Sequence, residues 1–170
     1  MPPRLLIRFA KRKDGRYVLS CVRLDGSVTW QRNHGGHAGF FPVHDLTHYA
    51  VETELRHRLG FFGLIADGWD FPDFAENWGR RPMPADADPS ELIVGLLDAA
   101  RVGGDATPAA ELNASAAGYY AQRGVADAGP QAVRLTDEQL DRIRRRLRDL
   151  VEKWEALAPG ATMELPFEID

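Results

Sequence analysis

The sequence predicts an α+β fold: an N-terminal antiparallel three-stranded meander packed against a helical C-terminal portion of about four helices. Two observations carry that expectation. Residues 4–32 alternate apolar and polar side chains and are broken by two Asp-Gly pairs, the pattern of consecutive hairpins. From about residue 43 the apolar spacing changes to the helical period. At 170 residues, with 44% hydrophobic and 27% charged side chains, the chain has the size and composition of one globular domain. Such a chain buries roughly 70% of the surface its unfolded form exposes, enough for a single sizeable core. We read a sheet part over 1–33, a helical part over 43–158 and an extended tail over 159–170.

In the first segment, "RLLIRFA", Leu5, Ile7 and Phe9 share one face, as the two-residue period of a strand requires. "KDGR" turns the chain into "YVLSCVRL", and a second Asp-Gly pair precedes "SVTWQR". A glycine-rich connection, "NHGGHAGFFP", leads to a helix expected over about 43–59 or slightly beyond, with Pro42 at its entry. "LIADGWDFPDFAENWGRRP" is aromatic and turn-rich, and "RRPMPADADP" is an exposed connection. Asp88, Pro89 and Glu91 form a helix-start signature: a capping acid, a first-turn proline and an acid near the positive end of the dipole. That helix ends at Gly103-Gly104, and Thr107-Pro108 open another that Gly124 stops. Thr136 and Gln139 form a capping box for the last helix, which runs to about 157 with Leu140, Ile143, Leu147, Leu150, Trp154 and Leu157 along one seam. "TMELPFEID" then serves as an extended tail or as an extra strand.

Several function classes lose support from composition. A formal net charge of −4 argues against a nucleic-acid protein driven by global charge. The run "RIRRRLRDL" is interleaved with acids four residues away, Glu138 with Arg142, Asp141 with Arg145 and Asp149 with Lys153, as on a solvated helix face. The single Cys21 excludes an internal disulfide framework and reads as a buried thiol. "FFGLIA" is too short to span a bilayer, and "MPPRLLIRFAKRK" lacks the apolar region of a signal peptide. The expected setting is therefore cytoplasmic, with no membrane and no nucleic acid as partner. The last helix's seam offers a surface for a homodimer, although docking on its own sheet is the simpler use. No GxSxG, Walker-type loop or dinucleotide fingerprint occurs.

The informative stretch is "FFPVHDLTHYAVETELRHRLGFF", residues 40–62. On a helix with His44 at zero, His48 falls near 40° and Glu52 near 80°, at about 100° per residue. Val51, Leu55, Leu59 and Phe62 project into the same sector, with Asp45 at its edge. Ionisable groups on a core-facing sector are expensive unless bonded to one another or to a cation. Histidines four apart hold a divalent ion side by side. The candidate metal ligands are His44, His48 and Glu52, with His37 from the glycine-rich loop. His34, Asp67 and Asp70 are further candidates from outside the helix. Because His44 and Glu52 are about 12 Å apart along the helix axis, one ion cannot readily take all three. Imidazole and carboxylate donors suit zinc first, and iron or manganese as well.

"HDLTH" resembles the H-D-x-x-H motif of the zinc-binding proteins of ubiquinone biosynthesis. The resemblance covers His44, Asp45 and His48, and implies zinc on a helix. That family's downstream glutamate falls at Gly60 in this chain. The doublet His44-Asp45 is also similar to that of the HD-type metal-dependent phosphohydrolases. Over its whole length the stretch resembles a small bacterial family with an HDLxHxxxE helix motif, a likeness that implies no activity.

Two functional readings follow. In the first the protein is a metal-dependent hydrolase of a small molecule, with Asp45 or Glu52, whichever is not a ligand, as the catalytic base. Trp69, Phe71, Phe74 and Trp78 would wall the pocket or pack in the core. In the second it is a non-catalytic small-ligand-binding or interaction protein with a metal-free His/Asp/Glu network.

Overall fold

Strands β1 (Leu5–Lys11), β2 (Tyr17–Arg23) and β3 (Val28–Asn33) form the expected meander, each pair antiparallel. The structure is a computed structural model and describes residues 3–33, 39–74, 81–126, 129 and 132–169. Each hairpin turn is closed by a backbone bond, Arg12 N–H to Arg16 C=O and Arg23 N–H to Ser27 C=O, both 2.9 Å. The register sets Ile7 opposite Cys21 and Phe9 opposite Leu19, so Leu5, Ile7, Phe9, Tyr17, Leu19 and Cys21 all bury on one face. Of the two roles open to the tail, the strand is the one formed. β4 (Thr162–Phe167) pairs antiparallel with β1 and completes a four-stranded sheet of order β3-β2-β1-β4. Pro166, which has no N–H to donate, sits in this edge strand, where a missing donor is tolerated.

The helical part contains α1 (Phe40–Leu55), α2 (Phe61–Ala66), α3 (Ser90–Val102), α4 (Ala109–Gln122) and α5 (Asp137–Ala156). A single 3₁₀ turn covers Phe71–Phe74. The addition to the expected four is α2, and it exists because α1 stops four residues early. Arg56 adopts a left-handed conformation (φ 55°) and the His57 N–H returns to the Glu52 carbonyl at 2.9 Å. Leu59 and Phe62 therefore do not extend the α1 stripe, as the sequence suggested. Phe62 still reaches the core, but from α2.

The corner between α1 and α2 is built on close approach. The Glu52 carboxylate folds back and accepts the Phe62 and Gly63 N–H groups at 2.9 and 3.2 Å. A Cβ on Gly60 would sit 2.5 Å from Ser90 Oγ and 2.6 Å from Glu52 Cδ. One on Gly63 would sit 1.9 Å from the Arg58 carbonyl oxygen, a backbone atom that cannot step aside.

The same corner receives α3. Asp88 accepts the Leu59 N–H at 2.6 Å and returns its own N–H to the Leu59 carbonyl at 3.2 Å. The Asp88 carboxylate thus fastens a loop instead of capping its own helix, and no side-chain cap bond forms at the N-cap, Pro89.

The capping box of α5 forms as read: Thr136 accepts the Gln139 N–H at 3.2 Å, and Gln139 accepts the Thr136 N–H at 2.9 Å. Leu140, Ile143, Leu147 and Leu150 are buried, with α5 packed mainly along α1 and its Trp154 edge-on to Tyr17 of the sheet at 5.4 Å between ring centroids. The seam that would carry a homodimer is taken up inside the protomer. At the far end Lys11 donates to the Trp154 and Leu157 carbonyls at 2.6 and 2.9 Å, which satisfies the helix C-terminus.

Two glycine substitutions separate space from propensity. Gly63→Ala should cost about 3 kcal/mol in urea denaturation, since the added methyl meets backbone. Gly95→Ala, on the exposed side of α3 with nothing within 4 Å, should stabilise by about 1 kcal/mol.

Candidate metal centre

Helix α1 presents His44 and His48 one turn apart, and α3 presents Glu91 and Asp98 two turns apart on its facing side. The two helices pair these residues in opposite order. His48 Nε2 lies 3.1 Å from Glu91 Oε2, and His44 Nδ1 donates to Asp98 Oδ2 at 2.7 Å. The docking of Asp88 and Ser90 on the α1–α2 corner, where His57 Nδ1 also meets Ser90 Oγ at 2.8 Å, fixes this register. As a result His44, His48 and Glu91 each offer one ligand atom within 4.8 Å of the other two.

Behind each imidazole stands a carboxylate. Asp98, itself held by Arg101 at 2.7 Å, occupies His44 Nδ1 and leaves Nε2 as the free ring nitrogen. Glu52 Oε1 lies 3.4 Å from His48 Nδ1, within ion-pairing range but without hydrogen-bond geometry. Neither atom has a hydrogen-bond partner among the described residues. Glu52 is fully buried, and its other oxygen takes the two corner amides.

Electrostatics follow the packing. Burial disfavours a charged His48, yet the Glu52 and Glu91 carboxylates outweigh it and push the ring up to about 10. Burial raises Glu52 above the usual carboxylate range, against the pull of His48 and the two amides. Bonding to His48 lowers Glu91. Burial would raise Asp98, but His44 and Arg101 hold it below its ordinary value.

The residues expected from sequence distribute as follows. His44 and His48 come together with Glu91. Glu52 stands behind His48, as the 12 Å helix rise anticipated (about eight residues at 1.5 Å each). Asp45 faces the sheet: it accepts the Tyr17 hydroxyl at 3.0 Å, is buried, and is raised by that burial to about 6. Asp67 pairs with Arg4, and Asp70 with Arg23 at 2.9 Å, so both are engaged elsewhere. His34, His37 and Trp78 lie outside the described residues.

Trp69 and Phe71 are buried, and Trp69 packs on Phe74 at 5.2 Å between ring centroids. Two aromatics not anticipated flank the histidines: Phe40 stacks on His44 at 5.3 Å, and Phe61 lies 4.9 Å from His48.

Glu91 and Asp98 were the residues that sequence reasoning missed in this role. Glu91 was read only as a first-turn acid. Asp98 was an acid within the apolar run "LIVGLLDAARV", seven residues after Glu91, and that spacing was the available signal.

No protein-family model, curated protein or solved structure matches the chain.

Glu52→Ala should destabilise the protein by about 3 kcal/mol, because two buried amides lose their acceptor and the His48 ring loses a buried counter-charge. Glu52→Gln, which keeps an acceptor oxygen, should cost less. Urea midpoints at unchanged denaturant slope would check both.

Proposed function

We propose that His44, His48 and Glu91 hold one divalent cation, zinc most readily, and that the protein is a metal-dependent hydrolase of a small molecule. The observation that supports this most is the pair of carboxylates behind the imidazoles. Metal-bound histidines are commonly oriented by a carboxylate on the second ring nitrogen, and Asp98 and Glu52 occupy those positions. A ligand at His48 Nε2 requires the ring proton on Nδ1, whose near neighbour at 3.4 Å is Glu52 Oε1, and both are buried atoms with no hydrogen-bond partner among the described residues. Two imidazoles and one carboxylate leave a fourth position open, as in catalytic rather than structural zinc sites. The same donor set is compatible with iron or manganese.

When bound, such a cation lowers the pKa of a coordinated water and polarises an acyl or phosphoryl oxygen. The chain's own part is positional. Asp98 fixes the His44 ring and is fixed in turn by Arg101. Glu52 holds the His48 tautomer and the corner that carries α3. Asp45 secures α1 to Tyr17 on β2. In this reading Asp45 and Glu52, both buried and engaged, act as positioning carboxylates, and the open side of the centre is that of Glu91.

A second reading has an observation of its own. His48, charged between Glu91 and Glu52, closes an ionic network that needs no cation. That favours a non-catalytic binding protein.

The experiment that separates the two is metal analysis of untagged protein. The metal reading expects about one equivalent, lost in His48→Ala and reduced in Glu91→Gln, with a drop in melting temperature on chelation. Absence of metal in the parent, with no rise in melting temperature on adding zinc, would leave the ionic network.

The sign of the pH dependence is set by His48. Its ring is held charged up to about 10, so an incoming cation must displace that proton. Zinc affinity should therefore increase by about tenfold per pH unit as pH rises through neutrality. Calorimetry in buffers of different ionisation heat would count the proton released. Hydrolysis of small ester and phosphoester substrates, abolished by chelation and restored by zinc, is the expected activity.

A further inference from the structure

The arginine run of α5 is not the plain solvated flank that its charge spacing suggests. A solvent-open cleft of about 380 Å³ lies between α1 and α5, lined by Glu54, Arg142, Arg145, Arg146, Asp149 and Lys153, with Leu150 as its floor. None of the metal-centre residues contributes to it. Glu54 Oε2 accepts Arg142 Nε at 3.2 Å, and its Oε1 accepts Arg146 Nε at 2.6 Å. Both carboxylate oxygens are thus used to hold two guanidinium groups by one edge.

Arg142 spends a terminal nitrogen on Glu138 at 3.1 Å, whereas the terminal nitrogens of Arg146 have no hydrogen bond among the described residues. The helix pairs Asp141–Arg145 and Asp149–Lys153, which the spacing allows, do not form. Asp149, itself part of the lining, lies 4.0 Å from Arg148, which is not. Arg145 and Lys153 make no ion pair or hydrogen bond among the described residues. Four cations face two lining carboxylates, with Glu138 on Arg142 from outside, which leaves Arg145, Lys153 and the terminal nitrogens of Arg146 to meet an anion.

We propose that this α1–α5 cleft binds a phosphate dianion, free or as the phosphoryl group of a small molecule, through Arg145, Arg146 and Lys153. Glu54 keeps Arg146 in place. A planar guanidinium with free N–H groups is the donor best matched to phosphate oxygens, and a lysine adds a point charge.

The test is calorimetric titration of the full chain with inorganic phosphate and, separately, with glycerol 2-phosphate. Sodium chloride at matched ionic strength and sodium acetate serve as controls. Saturable binding of at least one phosphate probe, at least about tenfold weaker in Arg145→Ala/Lys153→Ala and unchanged after treatment with 1,10-phenanthroline, is the expected result. Tighter binding of the monoester than of free phosphate identifies a phosphorylated molecule as the ligand, and the reverse identifies free phosphate. Neither substituted side chain has a partner to lose, so the double variant should melt close to the parent without ligand. Equal binding in parent and double variant, binding lost on treatment with 1,10-phenanthroline, or a response that chloride or acetate reproduces would each overturn the proposal.

Discussion

One buried carboxylate organises the middle of this protein. Glu52 stands where α1 must end, and by accepting the Phe62 and Gly63 amides it gives the chain a reason to turn and start α2. The close packing of Gly60 against that carboxylate and Ser90 admits the N-terminus of α3 to the same corner. Asp88 and Ser90 then lock α3 in register, and only with that register does Glu91 arrive at His48 and Asp98 at His44. The candidate centre is thus a consequence of how one helix stops.

Burying that charge is expensive, and the fold answers the cost locally. Two amides and a charged imidazole surround Glu52. Backbone donors fixed in place substitute for water without having to reorganise. Asp45 is treated differently. It meets the Tyr17 hydroxyl and stays raised to about 6, a group whose ionised form the interior supports poorly. Two acids on one helix are therefore distinguished by their surroundings: one anchors a corner through two backbone amides, the other joins helix to sheet through a hydroxyl.

What the sequence made legible was periodic or local. The alternation of Leu5, Ile7 and Phe9, the Asp-Gly turns and the Thr136–Gln139 box depend on neighbours a few residues away, and each formed as read. The early end of α1 did not show, because it depends on Glu52 reaching residues ten and eleven positions on, a contact that no helical period encodes. For the centre, the pairing of His44 with His48 was visible as a spacing of four. Glu91 and Asp98 were not, since their role depends on α3 docking across the α1–α2 corner. The α5 charges show the same limit: of the pairs the spacing announced within the helix only Glu138–Arg142 forms, while Arg142 and Arg146 both reach Glu54 on another helix.

Exposure then divides the two acids that α3 supplies. Glu91 and Asp98 lie on one face, yet the Glu91 side chain is 79% exposed and that of Asp98 only 10%. Asp98 is held by Arg101 and can do little but orient a ring. Glu91 is open to solvent, and it meets the one imidazole nitrogen of His48 that Glu52 does not face. A cation placed between them would therefore be reached from the solvent side past Glu91, with both histidines fixed from behind. That asymmetry, buried carboxylates inside and a solvent-exposed one outside, is the arrangement through which the proposed centre would exchange small molecules with solvent.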